Sequence, residues 1–176
     1  MPLQSSGAIS PLTLRPAAAA DASLIATLHS RSWTSAYRGL LPDAYLDDTM
    51  PGERIAHWRE TLPALLAGAG TVMVAELAGE PVGFVCLLKP DAHGSVLVDN
   101  LHALPHHKGA GIGTTLLEAA KRWTHEQGAD RLHLFVLETN RPAVAFYESR
   151  GWRQAGREDD TMGGIAVVAL RYDISL

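Results

Sequence analysis

Apolar positions recur at two different periods along this chain, and the switches between them lay out its elements. Thr13–Arg15 reads as a short strand stopped by Pro16. Leu24, Ile25 and Leu28 then fall at helical spacing between Asp21 and Trp33, with Asp21 placed to cap that helix. The stretch from Trp33 to Pro42 is aromatic and punctuated, and reads as no regular element. A second helix is predicted over about Arg54–Ala67, kinked or broken near Pro63. The middle is β-rich: Thr71–Ala78 and Pro81–Leu88 form an antiparallel hairpin around Ala78-Gly79-Glu80-Pro81. His93-Gly94 turns the chain into a third strand, Ser95–Leu104. Helical spacing returns at Ile112–Gln127, through Leu116, Leu117, Ala120 and Trp123, and ends at Gly128. Alternation of Leu132, Leu134 and Val136 marks a strand over Arg131–Leu137. Pro142–Arg150 is a helix closed by Gly151, and Trp152–Arg157 and Ile165–Tyr172 are two final strands with an acidic loop, Glu158-Asp159-Asp160, between them.

Hairpins mixed with crossover helices mean an α/β protein with a mixed sheet. No linker interrupts the 176 residues, so residues 11–176 are expected to form one domain behind a loose tail, residues 1–10. With 47% hydrophobic and 19% charged residues the chain has enough apolar side chains for a real core. A net charge of −4 and the lack of a basic stripe argue against nucleic acid as a partner, and so against a DNA-binding regulator. No apolar run is long enough for a membrane span, and Met1–Ser10 lacks the features of a secretory signal. The one cysteine, Cys86, cannot form an intrachain disulfide and sits in a strand as a core residue. These features suggest a cytoplasmic protein.

The most informative stretch is Leu101-His102-Ala103-Leu104-Pro105-His106-His107-Lys108-Gly109-Ala110-Gly111-Ile112-Gly113-Thr114. A strand runs out, three glycines alternate, and a well-patterned helix follows at once. Glycine lets backbone come close to a ligand, and a helix start offers unpaired N–H groups to an anion such as a diphosphate. Two better-known phosphate loops fail: G-x-G-x-x-G would need glycine where Thr114 stands, and no Gly-Lys pair exists for a P-loop. That disfavours an unrelated nucleotide-binding protein. A second stretch, Asn140 through Trp152, follows the strand ending at Leu137. Asn140 is placed to cap a helix with Pro142 in its first turn, and Tyr147, two turns on, shares its face.

These two stretches resemble the GNAT superfamily of acyl-CoA-dependent N-acetyltransferases. Lys108-Gly109-Ala110-Gly111-Ile112-Gly113 matches [QR]-x-x-G-x-[GA] apart from Lys108, and Asn140–Trp152 matches N-x-x-A-x-x-[FL]-Y-x-x-x-G-[FW]. The element order extends the likeness over roughly residues 12–172. The resemblance implies a single-domain fold with a mixed, mostly antiparallel central sheet of about six or seven strands flanked by about four helices. It implies acetyl-CoA as co-substrate, no metal, an amine acceptor of small-molecule or peptide origin, and a homodimer carried by the final strands. It assigns the diphosphate to Lys108, Gly109, Ala110, Gly111, Ile112, Gly113 and Thr114, and the pantetheine arm to Leu101, His102, Ala103 and Asn140. Tyr147 matches the residue that protonates the departing thiolate. Some relatives carry a working Asp where Asp99 stands, making it the expected base, with His102 and Glu138 as alternatives; the carboxylate that many relatives place five residues before the Asn is Phe135 here.

On the acceptor side the pattern W-x-x-x-Y-R-G-L-L-P, Trp33 to Pro42, resembles a subset of small bacterial-type members. Trp33 and Tyr37, four residues apart, offer an aromatic wall for a cationic amine, helped by Asp43, Asp47 or Asp48; Asp99 is a further candidate acceptor contact. The spacing of His102, His106 and His107 matches no standard zinc pattern. A non-catalytic acyl-CoA sensor and a protein N-terminal or lysine acetyltransferase are the rival readings.

Overall fold

The computed structural model describes residues 11–107 and 109–176; the expected loose tail, residues 1–10, and Lys108 lie outside the described residues. Among these residues, seven strands form one sheet: β1 (Leu12–Pro16), β2 (Gly70–Leu77), β3 (Glu80–Leu88), β4 (Ser95–Ala103), β5 (Arg131–Leu137), β6 (Arg153–Met162) and β7 (Ile165–Ser175). Their spatial order is β1-β2-β3-β4-β5-β7-β6. Every pairing is antiparallel except β4 with β5. The helices are α1 (Ala22–Tyr37), α2 (Met50–Ala64), α3 (Ile112–Glu126) and α4 (Arg141–Glu148).

The helices divide between the two faces of the sheet. Leu116, Leu117 and Ala120 of α3 and Tyr147 of α4 pack with Val85, Val96, Val98 and Leu132 on one face. Ile25 and Leu28 of α1 and Trp58 and Leu62 of α2 pack with Val72, Val74 and Phe84 on the other. A smaller cluster, Tyr37, Leu41, Leu46, Met50, Leu137 and Ala169, closes one end. The β2–β3 hairpin turns on Ala78 and Gly79, both with positive φ (54° and 82°), the twist that two-residue hairpins require.

Four sequence expectations change. The stretch from Trp33 to Tyr37 is helical and belongs to α1. The reason is tertiary: Tyr37 is buried against Leu41, Leu46 and Met50, and that burial outweighs the weak helix preference of Thr34 and Ser35. Asp21 makes no side-chain cap to α1; its carboxylate accepts from the Ala18 N–H at 2.7 Å and pairs with Arg15 at 2.7 Å. Pro63 does not break α2, because Leu62 and Leu65 on either side are both buried and hold the chain helical. The helix instead widens into a π-helical turn over Leu65–Ala69, stopped at Gly68, whose φ is +107°. Finally, Glu158, Asp159 and Asp160 lie within β6, opposite Ala169, Val168 and Val167, rather than in a loop.

Candidate active site

The parallel pairing of β4 and β5 is short. It runs over Ser95↔Arg131, Val96↔Leu132 and Leu97↔His133 and then stops, although both strands continue. From Val98 onward β4 is hydrogen-bonded only to β3, and a gap opens in the sheet. The departure coincides with a β-bulge: Leu87 faces Val98, Cys86 faces Asn100, and Asp99 is the extra residue. The bulge resets the alternation. Val96 and Val98 before it and Leu101 and Ala103 after it face the same core layer, so His102 is turned to the opposite face. There it stacks on His29 of α1, ring centroids 4.5 Å apart.

The glycine loop lies past the open end of β4. Gly109 and Gly111 have φ of +87° and +74°, and a Cβ on either would meet open space, so their need for glycine is one of backbone dihedrals. Gly111 caps α3 in the left-handed conformation. The Thr115 N–H bonds to the Gly111 carbonyl at 2.9 Å, while the amides of Gly113 and Thr114 have no backbone acceptor among the described residues. Gly113 has another role: a Cβ there would stand 3.2 Å from the Phe146 ring of α4. Arg150 fastens the same junction. Its guanidinium lies 3.8 Å over Phe146, bonds the Phe146 carbonyl at 3.0 Å, and bonds Thr114 Oγ1 at 2.8 Å.

The spacing of the second motif follows from helix termini. Asn140 Oδ1 accepts the Ala143 N–H at 3.3 Å and caps α4, and Pro142 occupies its first turn. At the other end Gly151, φ +86°, lets its own N–H reach Glu148 O at 3.1 Å and the Trp152 N–H reach Tyr147 O at 3.2 Å. That pair is a Schellman motif, and its accompanying apolar contact is Trp152 on Tyr147, centroids 5.6 Å apart. The motif therefore holds Tyr147 from both sides, with Phe146 edge-on at 5.2 Å. Burial, and Tyr37 nearby, raise the Tyr147 phenol above its ordinary value, so it stays protonated through the neutral range.

The structure brings the two halves together through Tyr37, whose hydroxyl accepts from Asn140 Nδ2 at 3.4 Å. Trp33 stands edge-on to Tyr37, centroids 5.5 Å apart, so the aromatic wall exists. Trp33 also lines a concavity of about 500 Å³ with Tyr45, Thr49, Glu53, Arg54 and the β6–β7 turn at Gly163-Gly164. Glycine is needed at 163, because a Cβ there would lie 2.7 Å from the Tyr45 ring. Asp43 and Asp47 do not serve this wall: both pair with Arg38, at 2.9 and 2.6 Å.

Of the three expected bases, Asp99 alone is exposed. It accepts from Asn100 Nδ2 at 2.9 Å; surrounding protein raises its carboxyl above the usual range although the residue meets solvent, while His57 on α2 opposes the shift. Burial, aided by the Arg54 charge, pushes His102 down to about 4, and its Nδ1 lies 3.1 Å from Ser32 Oγ. Glu138 is paired with Arg157 at 3.3 Å. Cys86 is fully buried and its thiol is raised by desolvation, as a core residue's would be. Among the described residues no group of His, Cys, Asp or Glu is arranged to hold a metal ion, and no helix is long and apolar enough to cross a membrane.

Sequence reasoning missed two cations at this site. Arg150 lay inside the second motif, three residues after Tyr147, but nothing local showed that it reaches Thr114. Arg54, at the start of the predicted second helix, had no motif around it and is placed by α2 packing on α1.

Comparison with known proteins bears on the family and the fold. Residues 28–152 match the model of the Acetyltransferase (GNAT) family. The chain is 28% identical over 149 residues to a probable N-acetyltransferase of Mycobacterium tuberculosis, covering 83% of this chain and 82% of that protein. It is 27% identical over 100 residues to the streptothricin acetyltransferase of Streptomyces lavendulae, covering 57% of this chain and about half, 53%, of that enzyme. The fold matches a PaiA N-acetyltransferase from Thermoplasma acidophilum, crystallised with coenzyme A, at a TM-score of 0.78 with 17% identity, covering 94% of this chain and 99% of that one. The chain is an acyltransferase belonging to the acetyltransferase (GNAT) family.

Proposed function

We propose that this protein transfers the acetyl group of acetyl-CoA to a primary amine by direct attack within a ternary complex. The observation that carries the reading is the opening between β4 and β5, which leads to a helix start whose amides at Gly113 and Thr114 have no backbone acceptor among the described residues. Those amides and the rest of the 109–114 turn suit a diphosphate, with the Arg150 guanidinium beside Thr114 as a second source of positive charge. Leu101, His102 and Ala103, on the length of β4 that has parted from β5, with Asn140 across the gap, suit the pantetheine arm. Lys108 is assigned to the same phosphates by the sequence resemblance alone.

Trp33 and Tyr37 hold the acceptor. Asp99 takes a proton from its ammonium group, and the amine nitrogen attacks the thioester carbonyl carbon. The tetrahedral oxyanion collapses, the carbon–sulfur bond breaks, the phenol of Tyr147 gives its proton to the leaving sulfur, and the second proton of the attacking nitrogen returns to the Tyr147 phenolate, leaving a neutral amide and free coenzyme A. No covalent enzyme intermediate is needed. A concavity of about 500 Å³ beside Trp33 suits a small-molecule amine.

The reading is tested by incubating the protein with acetyl-CoA and a panel of amines and following thiol release, with acetyl-CoA binding measured by calorimetry. Acetylation of an amine, and a fall in kcat of about 10²-fold in Tyr147→Phe, are expected. Tight acetyl-CoA binding with no amine acetylated would leave the sensor reading, and undiminished turnover of Tyr147→Phe across pH would remove Tyr147 as the acid.

A further inference from the structure

We infer that the acceptor amine also carries a carboxylate, and that Arg54 is the residue that selects it. This rests on the transferase reading above and narrows its substrate class.

Arg54 differs from the paired arginines. Arg15 holds Asp21 and Glu76, Arg38 holds Asp43 and Asp47, Arg157 holds Glu138, and Arg171 holds Asp173. Among the described residues Arg54 makes no ion pair and no hydrogen bond. Its Nε is shut off from solvent and has no partner. The acid next to it in sequence, Glu53, accepts instead from the Tyr45 hydroxyl at 3.1 Å. The guanidinium carbon lies over the Trp33 ring, 5.3 Å from its centroid, a cation–π contact that holds it beside that ring. Its charge is felt at His29, His57 and His102, each shifted further toward the neutral form by it.

A preorganised guanidinium without a protein acceptor, lining the same concavity as Trp33, fits a planar anion presented by the ligand. A carboxylate matches the fork of donors. A phosphonate fits less well, because one guanidinium would face its two charges with the Glu53 carboxylate in the same lining. A polyamine would set a second ammonium against Arg54. The position is also right: Trp33 stands edge-on to Tyr37, which bonds Asn140 at the sheet gap. A molecule anchored at Arg54 therefore extends along Trp33 toward the reacting centre.

The test compares matched acceptors with acetyl-CoA: L-α-amino acids and ω-amino acids, the carboxamide of each, and the matched aminophosphonates. The expected result is a kcat/KM for carboxylates at least about tenfold above that for carboxamides. In Arg54→Gln that preference collapses, through KM more than kcat, and Arg54→Lys keeps part of it. Thermal melting and calorimetric binding of acetyl-CoA confirm that each variant is folded. Equal use of carboxylates and carboxamides, a preference for phosphonates, or an Arg54→Gln loss as large on carboxamides as on carboxylates would each overturn the inference while leaving amine acetylation intact. If acetyl-CoA binds and none of these acceptors is acetylated while another amine of the wider panel is, the inference fails alone; if no amine of that panel is acetylated either, the transferase reading fails and takes the inference with it.

Discussion

Asp99 shows how one residue's place in the backbone sets its chemistry. As the extra residue of a bulge it has no partner on β3, and it sits where β4 has parted from β5. Desolvation raises its carboxyl above the ordinary value, which makes it a stronger proton acceptor once ionised. In the proposed reaction Asp99 is the base and must be deprotonated to act, so activity is expected above the raised pKa and is expected to fall as pH drops through it. The acid limb of kcat/KM is therefore expected above the usual carboxylate range of about 4. Asp99→Asn should abolish that limb and lower kcat by about 10²-fold or more, read from pH–rate profiles of the two proteins. A limb that persists in Asp99→Asn would assign the base elsewhere.

The glycines of the loop act at the scale of the element, and two neighbouring ones act for different reasons. Gly111 needs a left-handed backbone, and a Cβ there would touch nothing. Gly111→Ala should cost about 1 kcal/mol through the dihedral alone, and should weaken acetyl-CoA binding by turning the following amides away. Gly113 is inside α3 with ordinary φ, and its limit is the Phe146 ring at 3.2 Å. Gly113→Ala gains helix propensity but pushes α3 away from α4. A second change, Phe146→Leu, should restore binding in Gly113→Ala and not in Gly111→Ala. Calorimetry with acetyl-CoA on the four proteins reads this. Gly83 marks a further contact of this kind: a Cβ there would lie 2.5 Å from the His102 carbonyl, so β3 and β4 approach closely only because that position is glycine.

Two stacked histidines, His29 buried and His102 partly so, tie the whole molecule to pH. His29 is buried, accepts from Trp58 Nε1 at 3.1 Å, and stacks on His102; burial holds both rings in the neutral form. Their folded values lie below the unfolded one of about 6.5, so the unfolded chain binds more protons as pH falls. Stability is then fully present above about pH 6.5 and declines toward lower pH, by up to about 1.4 kcal/mol per pH unit for each such group. For His102 the decline levels off near its folded value of about 4. Thermal melts should show Tm falling between about pH 7 and pH 5, and a shallower fall in His102→Gln. A Tm flat across that interval would contradict the neutral stack.

The local patterns were legible because they answer to local forces. Alternation at Leu132, Leu134 and Val136 marked β5, and periodicity through Leu116, Leu117 and Ala120 marked α3, because a half-buried strand and a helix each bury one face. The Asn140–Trp152 spacing was equally readable, since a cap, a turn count and a Schellman glycine are all set within a few residues. The two motifs together carried the family resemblance and with it Tyr147, Asn140 and the glycine loop. What the chain order does not encode is which distant segments meet. Trp33–Tyr37 is helical because Tyr37 finds Leu41, Leu46 and Met50, and α2 runs through Pro63 because Leu62 and Leu65 are buried. The bulge at Asp99 is a mismatch between two strands, the stack of His102 on His29 joins positions far apart in sequence, and Arg54 is set apart by lacking the acid that the paired arginines have. Each of these depends on long-range packing, which no window of sequence contains, and that packing is what shapes the proposed acceptor side of the site.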